Sequence, residues 1–361
     1  MQTNNPEKQY LLNYSRTELH QLVQDLKIDS YRADQIFKGI YTQLLPDFSG
    51  LTTLSKSLRE NLDSAAILRS IKQLTETVSP DNETIKFLWQ LSDGRKIESV
   101  IIYEGSRITF CISSQVGCAL DCGFCSTGKM GFLRNLSSGE IVEQVLLMKQ
   151  RAKLPPTNIV YMGMGEPLLN LKNVLKAAEI LSDPEGLAFS RKKITISTSG
   201  IAPAILKLAD QDVPFSLAVS LNAVFEEKRK TIMPVSTNYP LNTLLENIRY
   251  YVKKTGKKIT FEYIMIDGFN DTRVDADRLI SLTAGIPCKI NLIPCNSEDP
   301  AYPPSPNKTV KWFADYLHDR GRTATVRLRK GWEIQAACGQ LYAKNENEKG
   351  TKITFNQIKT A

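Results

Sequence analysis

Two periodicities divide the chain. Up to about residue 82 the apolar positions recur at helical spacing: Leu19, Leu22, Val23 and Leu26 follow the capping box Ser15-x-x-Glu18, and Ile36, Phe37, Ile40 and Tyr41 form a second stripe. A third such stretch covers residues 51–67. Residues 1–82 therefore read as a small helical accessory domain, suited either to gripping RNA or to packing. The period then shortens to two: TIKFLWQL, the pair Asp93–Gly94 and KIESVIIY predict a β-hairpin linker over 83–106. From residue 107 strands such as RITFCIS, TNIVYM, KKITIS, FSLAVSL, KITFEYIMI, CKINLI and TATVRL alternate with helical stretches, one of them opened by the capping box Ser137-x-x-Glu140. Such βα repetition over 107–342 predicts an α/β core on a parallel sheet, whether barrel, partial barrel or doubly wound, with the site on loops at the carboxyl ends of its strands. Residues 343–361 read as a C-terminal tail.

Composition narrows the class. At 361 residues, 42% hydrophobic and 23% charged, the chain is long enough for a large core. Its apolar runs are too short to cross a bilayer, and MQTNNPEKQY lacks the features of a signal peptide, so a cytoplasmic location without membrane attachment is expected. The net charge of +8 is concentrated in RKK (191–193), KRK (228–230), KKTGKK (253–258) and Arg327, Arg329 and Lys330. These runs are either solvated faces or a phosphate-binding surface.

The cysteines carry the chemistry. Seven of them, an odd number in a long chain, argue against a disulfide framework. Three form C-x3-C-x2-C at Cys118, Cys122 and Cys125, directly after a strand. Structural zinc takes four ligands, usually as two pairs; no second pair exists, and His20 and His318 are far away, although Cys111 could supply a fourth thiolate. Electron-transfer iron–sulfur clusters also use four cysteines. Three thiolates would leave one iron open to a substrate, and this spacing, with Phe124 before the last cysteine, resembles the radical S-adenosylmethionine (SAM) superfamily.

The neighbouring motifs narrow that resemblance. CISSQVGCALDCGFCSTGKMGFLRNL, YMGMGEPLLN, ITISTSG, PCKINLIP and IQAACGQL together resemble the RlmN-type dual-specificity 23S rRNA/tRNA adenine-C2 methyltransferases. The resemblance implies a radical SAM partial (β/α)6-type barrel with a small N-terminal helical domain. It implies a 4Fe–4S cluster on Cys118, Cys122 and Cys125, a methyl-carrying Cys338, a second catalytic cysteine at Cys111 and a proton acceptor at Glu98. It also implies SAM contacts from Gly165, Glu166, Ser197, Ser220, Leu221, Asn222 and Asn296. Each position is chemically sensible. Glycines after a strand let backbone approach a ligand, Glu166 suits an ammonium group, and Ala336, Ala337 and Gly339 leave the Cys338 sulfur open.

The implied reaction consumes two SAM molecules per turnover. One methylates Cys338; the other, opened by an electron from the cluster, yields a 5′-deoxyadenosyl radical that activates that methyl for addition to adenine. Attack of Cys111 on the carrier sulfur then frees the product and leaves a Cys111–Cys338 disulfide. Expected partners are 23S rRNA, tRNA and a reductase or flavodoxin-type electron donor, for a monomeric enzyme. There are three departures from the pattern: Asn222 stands for the usual histidine, Trp332–Glu333 replaces x–Asp before the carrier cysteine, and Cys295 stands where an aromatic is common. The competing readings are Cfr-type methylation at C8, a radical SAM enzyme on a non-RNA substrate, and a zinc-stabilised RNA-binding module.

Overall fold

The computed structural model describes residues 8–343 except 212 and 328; the expected tail lies outside the described residues from 344 onward. The N-terminal unit holds a two-residue parallel pair, β1 (Gln9–Tyr10) with β2 (Ala66–Ile67), and three helices, α1 (Arg16–Asp25), α2 (Arg32–Tyr41) and α3 (Lys56–Ala65). Ser15 and Glu18 close the expected capping box on α1, and α2 buries Ile36, Phe37, Ile40 and Tyr41. Within the 51–67 stretch, Ser55 caps α3, so the helix starts at Lys56 and Leu51 and Leu54 are buried from the loop before it. The unit is tied to the core by Glu143, a fully buried carboxylate. It accepts from the Tyr10 hydroxyl and, at 2.9 Å, from the Ser70 backbone N–H.

The helical reading of the first eighty residues fails at Lys72–Val78, which form strand β3. Its side chains are nearly all exposed, so no apolar alternation marks it. Pairing with the next strand fixes it instead, from Lys72 opposite Gln90 to Val78 opposite Ile85. Strands β4 (Thr84–Gln90) and β5 (Lys96–Glu104) form the expected hairpin, with Gly94 at φ +83° in the turn. The hairpin is more than a linker. β5 pairs antiparallel with β6 (Arg107–Cys111), so β3, β4 and β5 extend the central sheet.

The core then follows the βα pattern. After β6 come β7 (Gln115–Gly117), α4 (Ser126–Lys129), β8 (Phe132–Asn135) and α5 (Ser138–Arg151), and then β9 (Asn158–Tyr161), α6 (Leu171–Leu181), β10 (Ile194–Thr198) and α7 (Ala202–Asp210). They are followed by β11 (Ser216–Ser220), α8 (Glu226–Ile232), α9 (Val235–Asn238), α10 (Leu241–Thr255), β12 (Ile259–Met265), α11 (Arg273–Leu282), β13 (Cys288–Pro294), α12 (Asn307–His318) and β14 (Ala324–Val326). From β6 through β9 to β14 every pairing in the central sheet is parallel, and each neighbour is the next core strand in sequence. Helices α5 with α6, α7 with α10, and α11 with α12 pack against one another outside the sheet. The sheet is open yet strongly curled: Ile102 and Glu104 from β5 line the same cavity as Asn291 from β13 and Thr325 from β14. This is a partial barrel. No helix among the described residues is long and apolar enough to cross a membrane.

Candidate active site

Backbone geometry sets the cysteine loop. Gly117 has φ +74°, and a Cβ there would fall 1.8 Å from the Gly131 carbonyl oxygen, so only glycine lets β7 lie against β8 at this point. The Cys118 N–H then donates to Gly131 at 2.9 Å, Gly123 N–H to Ile232 at 3.0 Å, and Cys125 N–H to the Cys122 carbonyl at 3.0 Å. All three thiols face a cavity of about 140 Å³ at the carboxyl ends of β9, β10 and β11. Burial pushes the Cys122 thiol up to about 12 and Cys118 well above its usual value; neighbouring cysteine charge adds to both.

The same cavity gathers Gly165, Glu166, Ser197, Ser220 and Asn222. Glu166 accepts from the backbone N–H of Leu168 (3.0 Å) and of Ser199 (2.8 Å), one bond to each oxygen, which leaves lone pairs for a further donor. The glycines serve the chain itself: a Cβ on Gly163 would meet Ile112 backbone at 2.7 Å, and one on Gly165 would meet Gln115 at 2.5 Å. Asn222 adopts φ +57°, a conformation that asparagine tolerates, and accepts from Ile264 N–H at 3.0 Å. Leu221 is fully buried and does not line this cavity.

Cys338 faces this cavity and also a second one of about 370 Å³, the interior of the curled sheet. Cys111, at the end of β6, and Asn296 face the second cavity. The carrier loop is fastened to the cysteine loop: Ser126 N–H donates to Gly339 (2.7 Å) and Thr127 Oγ1 to Leu341 (2.7 Å). Asn296 reaches the Cys338 carbonyl at 3.3 Å and in turn accepts from Arg329 Nε at 2.9 Å, whose guanidinium stacks 3.8 Å from the Trp332 ring centre. The bulky Trp332 thus supports the loop. Burial pushes the Cys111 thiol up to about 12; burial also raises Cys338, against the pull of Arg327. Glu98 lines neither cavity: its carboxylate is 3.2 Å from Lys86 Nζ and accepts from Tyr342 N–H at 2.9 Å.

Three residues without an expected role belong to this site. Glu262, on β12, lines both cavities; one oxygen accepts from Ser197 Oγ at 2.9 Å and the other is buried with no partner among the described residues. Arg327 lies in the larger cavity, its charge reinforced first by Cys338 and then by Glu262 and Cys111. Arg229, the middle of KRK, is no surface cation. It is fully buried, donating to Leu221 (3.0 Å), Ser199 (2.8 Å), Ser220 (3.1 Å) and the Ser236 hydroxyl. Burial brings its pKa down to about 10, so it stays charged, beside Cys122. The alternation in KITFEYIMI, with a lone carboxylate among apolar residues, was the available signal for Glu262; nothing in KRK distinguishes its buried member.

Arg229→Met strands those three carbonyls and the hydroxyl, each worth about 1–3 kcal/mol when left unpaired. A fall in melting temperature of about 5–10 °C is expected, on the order of 4–8 kcal/mol for a chain this size. Arg229→Lys should recover only part, because an ammonium cannot span the same acceptors. Thermal denaturation checks both.

The family models match in two places: the Radical SAM superfamily over residues 112–280, and the ribosomal RNA large subunit methyltransferase N-terminal domain over residues 9–68. The probable dual-specificity RNA methyltransferase RlmN of Petrotoga mobilis is 42% identical over 96% of this chain and 99% of its own. The RlmN protein of Geotalea uraniireducens is 43% identical over 93% and 97%. The chain belongs to the RlmN family. The crystal structure of a radical SAM methyltransferase from Sphaerobacter thermophilus superposes with a TM-score of 0.91 at 40% identity, covering 93% of this chain and all of that one. As an RlmN family member the chain is a radical SAM methyltransferase that uses a 4Fe–4S cluster and SAM. The donor set fits: three thiols, Cys122 buried and Cys118 and Cys125 half-buried, line one cavity. The unpartnered Glu262 oxygen adds a buried acceptor for a bound polar ligand.

Proposed function

We propose that this chain forms 2-methyladenosine in 23S rRNA and tRNA, carrying the methyl group on Cys338. The reading is supported by the names of its relatives, dual-specificity RNA methyltransferases, and by one observation above all: Cys338 alone among the cysteines faces both cavities. Cys118, Cys122 and Cys125 would hold the cluster, and Gly165, Glu166, Ser197, Ser220, Asn222 and the Leu221 backbone would hold SAM beside it. Bound there, the pair supplies a transferable methyl group and one-electron chemistry able to remove hydrogen from an unactivated carbon. Cys338 accepts the methyl as a thiolate, the nucleophilic form, with Arg327 as its counter-charge. The larger cavity, of a size usual for ligand sites, takes the adenine extruded from its stack. Arg107, Lys289, Arg329 and Lys330 line that cavity and suit the flanking phosphates. Cys111, across this cavity, would release the product. The setting is the cytoplasm, where a monomer meets its RNA and a flavodoxin-type reductant.

The test is nucleoside mass spectrometry of rRNA and tRNA incubated with reconstituted enzyme, SAM and a reductant. 2-Methyladenosine is the expected product; 8-methyladenosine would establish the C8 chemistry instead, and unmodified RNA would overturn the reading.

A further inference from the structure

The hairpin has a use that its sequence did not announce: it is the floor beneath the carrier loop. Lys330 pairs with Glu83, and Gly331, at φ +70°, sits so close to β4 that a Cβ would fall 2.6 Å from the Thr84 methyl. Further along, Lys86 Nζ lies 3.5 Å from the Gln335 carbonyl oxygen, and the Glu98 carboxylate accepts from Tyr342 N–H at 2.9 Å. Between these two ends lies Cys338. Leu88 is directly opposite Glu98 in the β4–β5 register, which puts Lys86 diagonally beside Glu98 on the same face. They form an ion pair of 3.2 Å, with 15% and 6% of the two side chains exposed. The Glu98 backbone N–H donates to Met164 Sδ at 3.2 Å, which ties the same residue to the glycine loop after β9.

We propose that Lys86 and Glu98 act together as positioning residues, the ion pair clamping both ends of the Gln335–Tyr342 loop so that the Cys338 sulfur stays at the neck between the two cavities. Both oxygens of Glu98 are committed in this arrangement, one to Lys86 and one to Tyr342 N–H, and Glu98 lines neither cavity. The carboxylate against the Tyr342 amide N–H is a charge-assisted bond, stronger than a neutral one, while Lys86 makes a longer approach of 3.5 Å to the Gln335 carbonyl. Breaking the pair loosens both ends of the loop, which stays tied to the cysteine loop through Gly339 and Leu341. The inference rests on Cys338 being the methyl carrier, and its test is chosen to be independent of methyl transfer.

The holoenzyme, without SAM or RNA, is treated with the thiol oxidant diamide. Cys111 and Cys338 each lose a proton and together two electrons, forming one disulfide as diamide is reduced to its hydrazine; mass spectrometry of peptides follows the reaction. Misplacing a reacting atom by about 1 Å costs up to about a hundredfold, so Lys86→Met and Glu98→Gln should each slow disulfide formation by about tenfold or more. Lys86→Arg should restore it to within about threefold, and the double variant should be no worse than either single one, because the pair acts as one unit. Iron content and melting temperature serve as controls for folding. Wild-type disulfide rates in Glu98→Gln, combined with RNA methylation that fails while Lys86→Met remains active, would overturn the proposal and make Glu98 a proton acceptor. RNA methylation by a Cys338→Ser variant would instead sink the carrier reading, so the two failures are distinguishable.

Discussion

Cys338→Ser is expected to reduce RNA methylation by at least about 10³-fold while leaving the iron–sulfur chromophore unchanged, the size of effect seen when a covalent nucleophile is removed. A serine hydroxyl at this site is un-ionised at any working pH, and the thiolate is what attacks a methyl sulfonium. Nothing else at the neck can replace it. Cys111, the other cysteine lining the larger cavity, does not line the cavity formed by Cys118, Cys122 and Cys125. Cys295 is fully buried, and neither it nor Cys288 lines either cavity. The change should not disturb the cluster, because the loop contacts across to Ser126 and Thr127 come from the Gly339 and Leu341 carbonyls and not from the Cys338 side chain. Iron and sulfide analysis alongside nucleoside mass spectrometry measures both halves of the expectation; loss of iron together with activity would mean that Cys338 serves the metal.

Much of this site was legible because its residues are strand-terminal. Ser197 and Ser220 end or nearly end strands whose apolar alternation is plain, and Gly165–Glu166 follow NIVYM, so the βα pattern alone brings them to one rim. The parallel sheet was readable for the same reason: strands buried on both faces are short apolar runs. β3 was not readable, because an exposed strand paired through backbone bonds leaves no hydrophobic signature. Arg229 was hidden inside a basic run, since it is held by carbonyls of Ser220 and Leu221 at the end of β11 and of Ser199 just after β10. Glu98 shows the opposite limit. Motif position assigns it a chemical role, while the carboxylate direction depends on Lys86 two residues out of register and on Tyr342 far along the chain.

Cys111→Ser should stop the reaction one step later and trap RNA on the protein. With the base carbon joined to the Cys338 sulfur through the methylene group, release requires a thiolate to attack that sulfur. An S–S bond forms, the S–C bond breaks with its electron pair going to carbon, and protonation of that carbon completes the methyl group. Serine cannot perform this step, so denaturing gels should show a stable protein–RNA conjugate attached at Cys338, at close to one RNA per active chain, and turnover should fall to below one. In the wild type the same step has a pH signature. Burial holds the Cys111 thiol up to about 12, so the thiolate is scarce at neutral pH and its fraction rises about tenfold per pH unit below that value. Single-turnover release should therefore accelerate as pH rises from about 7 to 9, with no matching change in conjugate formation by Cys111→Ser. A variant that still turns over many RNA molecules would show that another group cleaves the conjugate, and would remove Cys111 from the reaction.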